Sequence, residues 1–190
     1  MPSGTAAFAT GINGAGQAAS FSQSAGGAPT QALTYSLASL GLTSHAFTVS
    51  FWMYATSLAV EQDALTLTSA DGRSAMLGVG VHSSFLIDYQ SVKDPAYREV
   101  AMQAGEWTMF TLCVQELSAA AAPSLNYVVY KNGVSQTSLT FNEGSTRTFS
   151  SLAVGGTGSA FSGRVDDVRL YSATLTAAQV ASLYSATKRG

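Results

Sequence analysis

From Phe161 to Tyr184 the chain reads Phe-Ser-Gly-Arg-Val-Asp-Asp-Val-Arg-Leu-Tyr-Ser-Ala-Thr-Leu-Thr-Ala-Ala-Gln-Val-Ala-Ser-Leu-Tyr, a short β-strand that closes into one compact helix. Residues alternate from Arg164 to Tyr171, so Asp166, Val168 and Leu170 are expected on one inward face. A carboxylate among inward apolar residues must be satisfied, because an unpaired buried charge is costly. Thr174-Leu175-Thr176 supplies a helix entry ahead of Ala177, Ala178, Val180, Ala181, Leu183 and Tyr184. Gln179 follows Thr176 by three positions, the spacing of a capping box.

The rest of the chain reads as strands and tight turns. Phe47, Val49, Phe51 and Met53 alternate with Thr48, Ser50, Trp52 and Tyr54, the strongest strand pattern present. Further strands are expected at Gln17–Phe21, Ala64–Thr68, Ala75–Val81, Phe85–Tyr89, Trp107–Gln115, Leu125–Tyr130, Gln136–Phe141 and Leu152–Gly155, with a short strand or loop over Leu33–Leu42. Asp71-Gly72 and Asn132-Gly133 are hairpin signals, since both positions tolerate positive φ. Loops are expected at Ala119–Pro123, at the mixed-charge stretch from Lys93 to Glu99, and around Glu61 and Asp63, read as a solvated pair. With no long helical periodicity and no internal repeat, the expected architecture is two antiparallel sheets packed face to face with one terminal helix. All 190 residues fit one such domain, its core about 11–184.

Four stretches in this order resemble the laminin G-like, concanavalin A-like jelly rolls. They are the Gly11–Phe21 opening strand, Phe47-Thr-Val-Ser-Phe-Trp52, Val129-Tyr-Lys-Asn-Gly-Val134, and the closing strand with Asp166-Asp167-Val168-Arg169 before the helix. The resemblance implies an all-β, two-sheet antiparallel jelly-roll sandwich with a short C-terminal helix. It also implies Ca²⁺ as a candidate cofactor, held by hard oxygen ligands at the rim. Asp166 and Asp167 match the acidic pair of the family, with Asn13 in the Gly11–Gly16 turn as co-ligand. The competing reading has Asp166 accepting hydrogen bonds, or pairing with an arginine, to tie the last strand to the first. On an ideal strand the two acids point to opposite faces, so both ligate one ion only if a bulge intervenes.

Composition narrows the function classes. Hydrophobic residues make up 46% and charged residues 11%, a packed protein with a neutral polar surface rather than a disordered one. A net charge of -2 with no basic run argues against nucleic acid as a partner, and no apolar run is long enough to insert in a membrane. Cys113 is the only cysteine and reads as a small strand residue, since neither His45 nor His82 forms a Cys-His signature with it. Glycoside hydrolases need two carboxylates about 5–10 Å apart across a cleft. No strand here carries acids at the shared-face spacing, and Gly-x-Ser-x-Gly is absent. Gly155-Gly-Thr-Gly158 reads as a turn, lacking the lysine and helix of a phosphate loop.

These features point to a module that binds or decorates and catalyses nothing. The N-terminus lacks a basic segment followed by an apolar one, and no disulfide can form within the chain. The expectation drawn is a structural or adhesive subunit on a larger assembly, a virion surface being the first choice, with protein subunits as partners and homo-oligomers compatible. The alternative is an extracellular carbohydrate-binding module of a secreted enzyme or adhesin. Its sugar would stack on Trp52, Tyr54 or Tyr127, which offer aromatic faces beside neutral polar groups.

Overall fold

The computed structural model describes residues 6–14, 16–22, 32–43, 45–80, 84–89, 96–117, 124–142, 147–156 and 159–188. His82, the loop expected at Ala119–Pro123 and Asp94 lie outside the described residues. One sheet has seven strands in the order β1 (Ala7–Thr10), β2 (Gln17–Phe21), β13 (Gly163–Tyr171), β4 (Phe47–Ala55), β9 (Thr108–Glu116), β10 (Ser124–Lys131) and β11 (Val134–Asn142). The other has six, in the order β3 (Leu33–Ser36), β12 (Phe149–Val154), β5 (Gln62–Ser69), β6 (Ser74–Val79), β7 (Ser84–Tyr89) and β8 (Ala96–Ala101). Every strand pairing is antiparallel. The sandwich closes on helix α1 (Ala177–Thr187).

Alternation decides which side chains meet. Phe47, Val49, Phe51 and Met53 of β4, Phe110, Leu112 and Val114 of β9, and Leu125, Tyr127 and Val129 of β10 face the six-stranded sheet and are fully buried. Leu65, Leu67, Leu77, Phe149 and Leu152 meet them from the other side. Ring pairs such as Phe47–Phe149, with centroids 5.2 Å apart at 74°, fill the layer edge to face.

β4 is also covered on its outer face, where α1 makes a second, smaller core. Trp52, Met109, Cys113, Tyr130 and Val180 are buried there, with Leu175, Leu183 and Tyr184 packed against them. The polar residues of that face are satisfied. Thr48 Oγ1 donates to the Ala173 carbonyl at 2.9 Å and accepts from the Leu175 amide at 2.9 Å, and Thr111 Oγ1 donates to Ser50 Oγ at 3.0 Å. The two Thr48 bonds pin the link between β13 and α1. The helix starts as expected: Thr176 caps it, accepting from the Gln179 amide at 3.3 Å while Gln179 Oε1 accepts from the Thr176 amide at 2.8 Å. The Asn132-Gly133 turn has φ of 51° and 79°, the left-handed pair of a tight hairpin, and its glycine lies against the helix. A Cβ there would come within 3.0 Å of Tyr184 Cβ.

Three expectations are corrected. The 93–99 region is not wholly loop, since Ala96–Ala101 is the edge strand β8 paired with β7. Asp63 is not a solvated acid before a strand. It lies inside β5 at 4% exposure, where Oδ2 accepts from the Ser159 amide at 3.0 Å, while Gln62 Oε1 accepts from the Ser162 amide at 2.7 Å. The two side chains clamp the loop that leads into β13. The third correction concerns β13. Val165 pairs with Met53 and faces the core, whereas Asp166 pairs with Trp52 on the outer face. A bulge between Asp166 and Arg169, with Asp167 at φ 48°, then returns Leu170 to the inner face opposite Val49. Asp166 therefore does not share a face with Val168 and Leu170.

Candidate functional site

The bulge resolves the fate of the acidic pair. Asp166 Oδ2 accepts from the Ile12 amide at 3.0 Å and Oδ1 from the Asp167 amide at 2.8 Å, so this carboxylate ties the last strand to the turn between the first two. Asp167 Oδ1 pairs with Arg169 Nε at 2.8 Å. Asn13 donates from Nδ2 to the Thr187 carbonyl at 3.1 Å, joining the same turn to the end of the helix. The three candidate Ca²⁺ ligands are thus neighbours, but their groups already hold amides, a guanidinium and a carbonyl. No group of three or more metal-ligating side chains occurs among the described residues. The donor set does not fit a calcium cage, which needs free oxygens converging on one point.

The aromatic candidates separate sharply. Tyr127 is fully buried in the main core against Phe141, with ring centroids 5.8 Å apart, so no sugar can reach it. Trp52 is 3% exposed, stacked at 5.7 Å on Tyr184 with its indole Nε1 donating to Thr187 Oγ1 at 3.1 Å. Its face is occupied by the helix. Tyr54 alone of the three keeps partial exposure, beside Trp107 with centroids 5.7 Å apart.

A concavity among the described residues lies elsewhere, at the open edge between the sheets. It is a groove of about 530 Å³ between β1, β2 and β13 on one side and β3, β12 and the 3-10 turn Ala38–Leu40 on the other. Its floor follows from register. Phe8 pairs with Ala19, and Ala19 with Val165, so the three side chains share the inner face. Ala19 is small, and β1 and β2 continue the larger sheet past β13, while among the described residues β3 is the last strand of the sheet opposite them. A trough remains where a third layer of side chains would otherwise meet. Phe8 overhangs it at 60% exposure and Leu40 faces it at 57%. Tyr35 is half-buried in the wall, and Gln17 and Ser36 line the rim with exposed polar side chains. The size is that of an ordinary small-ligand cleft, with apolar surface and a few polar groups.

Several acids of the described residues are engaged by neighbouring groups. Glu116 Oε2 lies 3.1 Å from His45 Nδ1, Asp63 is buried against the Ser159 amide, and Asp71 accepts from Ser69 and Arg73. Cys113 is buried, and burial pushes its thiol pKa up, away from the thiolate a nucleophile needs.

Sequence reasoning missed Phe8 and Tyr35 because both lie on short edge strands, four residues long, whose alternation is too brief to read. Tyr127 was legible as core: Leu125, Tyr127 and Val129 alternate with polar Asn126 on one strand.

Solved structures place this geometry among known folds. Domain 4 of AbnA, a GH43 extracellular arabinanase from Geobacillus stearothermophilus solved in complex with arabinotriose, superposes with a TM-score of 0.68 at 21% identity, over 96% of this chain and 82% of that one. The native heptameric SAP-like pentraxin from Limulus polyphemus gives 0.66 at 15% identity, over 88% and 81%. The binding domain of botulinum neurotoxin serotype C1 gives 0.72 at 11% identity, over 98% of this chain and 47% of that one. No curated protein sequence matches the chain. The two facing sheets and the closing strand and helix agree with the family described as the concanavalin A-like lectin/glucanases superfamily, whose pattern matches residues 25–181, and the chain belongs to that superfamily.

Proposed function

We propose that this protein is a non-catalytic carbohydrate-binding module whose ligand lies in the groove between β1–β2–β13 and β3–β12. The observation that carries the reading is the groove itself: an open trough of about 530 Å³ with Phe8 exposed on one lip, Tyr35 in the facing wall, and Gln17 and Ser36 at the rim. Aromatic rings stack on the apolar faces of sugars, and amides and hydroxyls pair with their hydroxyl groups. The arabinanase domain, similar over 96% of this chain, was solved with arabinotriose, which supports a sugar as ligand and names the first probe. Display on a virion surface, the first choice from sequence, is compatible with the same groove and would make the module an adhesion device there.

The test is a glycan array followed by titration calorimetry with arabinotriose and neutral pentose and hexose oligosaccharides. Binding at least tenfold weaker in Phe8→Ala and in Tyr35→Ala, with circular dichroism unchanged, is the expected outcome. A silent array, or binding indifferent to both substitutions, overturns the reading.

A further inference from the structure

On the outer face of the seven-stranded sheet, away from the groove, Arg164, Tyr54 and Trp107 form a compact cluster. Arg164 of β13 pairs with Tyr54 of β4, so both project outward. Trp107 stands just before Thr108, which pairs with Met53, so the indole arrives beside Tyr54. The guanidinium Cζ lies 4.2 Å from the Tyr54 ring centroid and 5.4 Å from that of Trp107. One of its N–H groups donates from Nη1 to the Thr10 carbonyl at 3.1 Å. All three side chains are half-buried.

A guanidinium carries five N–H donors, and Arg164 commits only the one to a hydrogen bond among the described residues. No carboxylate among them pairs with it. Two positions along the same face, Asp166 has both oxygens committed to the Ile12 and Asp167 amides. Arg169, by contrast, holds Asp167 at 2.8 Å. The rings and the Thr10 carbonyl fix the plane of Arg164 in advance, so little rotamer freedom remains to lose when a ligand binds. A half-buried cation without a counter-ion is a cost that a ligand anion relieves, and the planar fork matches a carboxylate bidentately.

We infer that Arg164, Tyr54 and Trp107 form a second subsite that takes the carboxylate of an acidic sugar, a pyranose bearing one carboxyl group. The acid pairs with Arg164, and the ring stacks on the exposed edge of the Trp107–Tyr54 pair. Ser20, opposite Arg164 on β2, brings a hydroxyl beside a sugar hydroxyl. A single guanidinium on a chain of net charge -2 suits one monoanionic residue rather than a densely sulfated polymer. The inference rests on the carbohydrate-binding reading for its ligand class, but not on the groove.

The probes are digalacturonate and sialyllactose, which share the carboxylated ring and distinguish its two sources, with methyl-esterified digalacturonate and free acetate as controls. Titration by calorimetry and by Trp fluorescence should show one or both acidic sugars binding, weakening as salt rises, and at least tenfold weaker for the methyl ester. Arg164→Gln and Arg164→Lys should both lose at least tenfold, since lysine keeps the charge but not the fork, and Trp107→Phe should lose less. Arabinotriose titrated in parallel reports the groove, and the ester-sensitive, salt-sensitive part of acidic-sugar binding reports Arg164, so failure of the groove and failure of this subsite read out separately. Equal affinity for the ester, unchanged binding in Arg164→Gln with its fold intact, or acetate binding as well as the sugars overturns the subsite.

Discussion

The indole Nε1 of Trp52 donates a 3.1 Å hydrogen bond to Thr187 Oγ1, joining the centre of the seven-stranded sheet to the last turn of the helix. Thr187 in turn donates back to the Leu183 carbonyl at 2.9 Å, and Tyr184 stacks on the indole 5.7 Å away. The helix has one fully buried residue, Val180, so its hold on the sheet depends heavily on this contact. A helix of eleven residues has little stability alone.

Trp52→Ala should therefore cost about 3–5 kcal/mol, the range for removing a buried aromatic. The loss is expected as a lower urea midpoint, accompanied by faster proteolysis of the C-terminal residues. Sugar affinity of the folded protein should stay as it was. A stable Trp52→Ala protein that has lost sugar binding would instead return Trp52 to the binding surface.

The acidic pair gives a second, asymmetric expectation. Asp166→Ala strips partners from the partly buried Ile12 amide and should cost about 1–3 kcal/mol. Asp167 forms an ion pair with Arg169 that is partly open to water, worth about 0–1 kcal/mol, and sits at φ 48°. Asp167→Gly relieves that backbone strain, so its net effect should be near zero. Chemical denaturation of both variants checks the order. Adding a chelator should shift neither midpoint; a chelator-dependent fall in melting temperature would restore the calcium reading.

Asp167 also marks where sequence stops predicting this fold. Strand alternation, the Asn132-Gly133 turn and the Thr176–Gln179 capping box are local, and each was readable because a few neighbouring residues decide it. The face of Asp166 was not, because a non-glycine residue in the left-handed region inverts the phase of β13 without a glycine to announce it. Asp63 misled in a similar way: its partner, the Ser159 amide, is 96 residues distant. Of the candidate site, Tyr54 was in view, while the groove and the Arg164 cluster exist only once β1, β2, β4, β9 and β13 are set side by side.

The turn after β5 carries a pH dependence. The Asp71 carboxyl titrates below its ordinary 3.8, chiefly because the Ser69 hydroxyl donates to it, with the Arg73 amide and the Arg147 and Arg73 charges adding and partial burial opposing. A group whose folded pKa is depressed stabilises fully above its unfolded value and loses that contribution as pH falls through the folded one. The stability gap between the protein and Asp71→Asn should thus be constant near neutrality and close below about pH 3.8. Urea midpoints measured from pH 7 to pH 2.5 provide the check; a gap that persists to the lowest pH would refute this linkage.

The last expectation is an absence of turnover. Hydrolysis of a glycosidic bond requires an acid and a base or nucleophile set about 5–10 Å apart with oxygens free to reach the sugar. Among the residues lining the groove, the only acids are Asp166, whose side chain lies on the outer face of its sheet, and Asp167. One holds two backbone amides and the other holds Arg169, so neither offers the pair of roles that the reaction divides between two groups. Purified protein incubated with arabinan, galactan and β-glucan should release no reducing ends above a heat-treated control. Sustained release abolished by Asp166→Asn or Asp167→Asn, in a variant shown to be folded and still able to bind arabinotriose, would make the groove an active site and the module an enzyme.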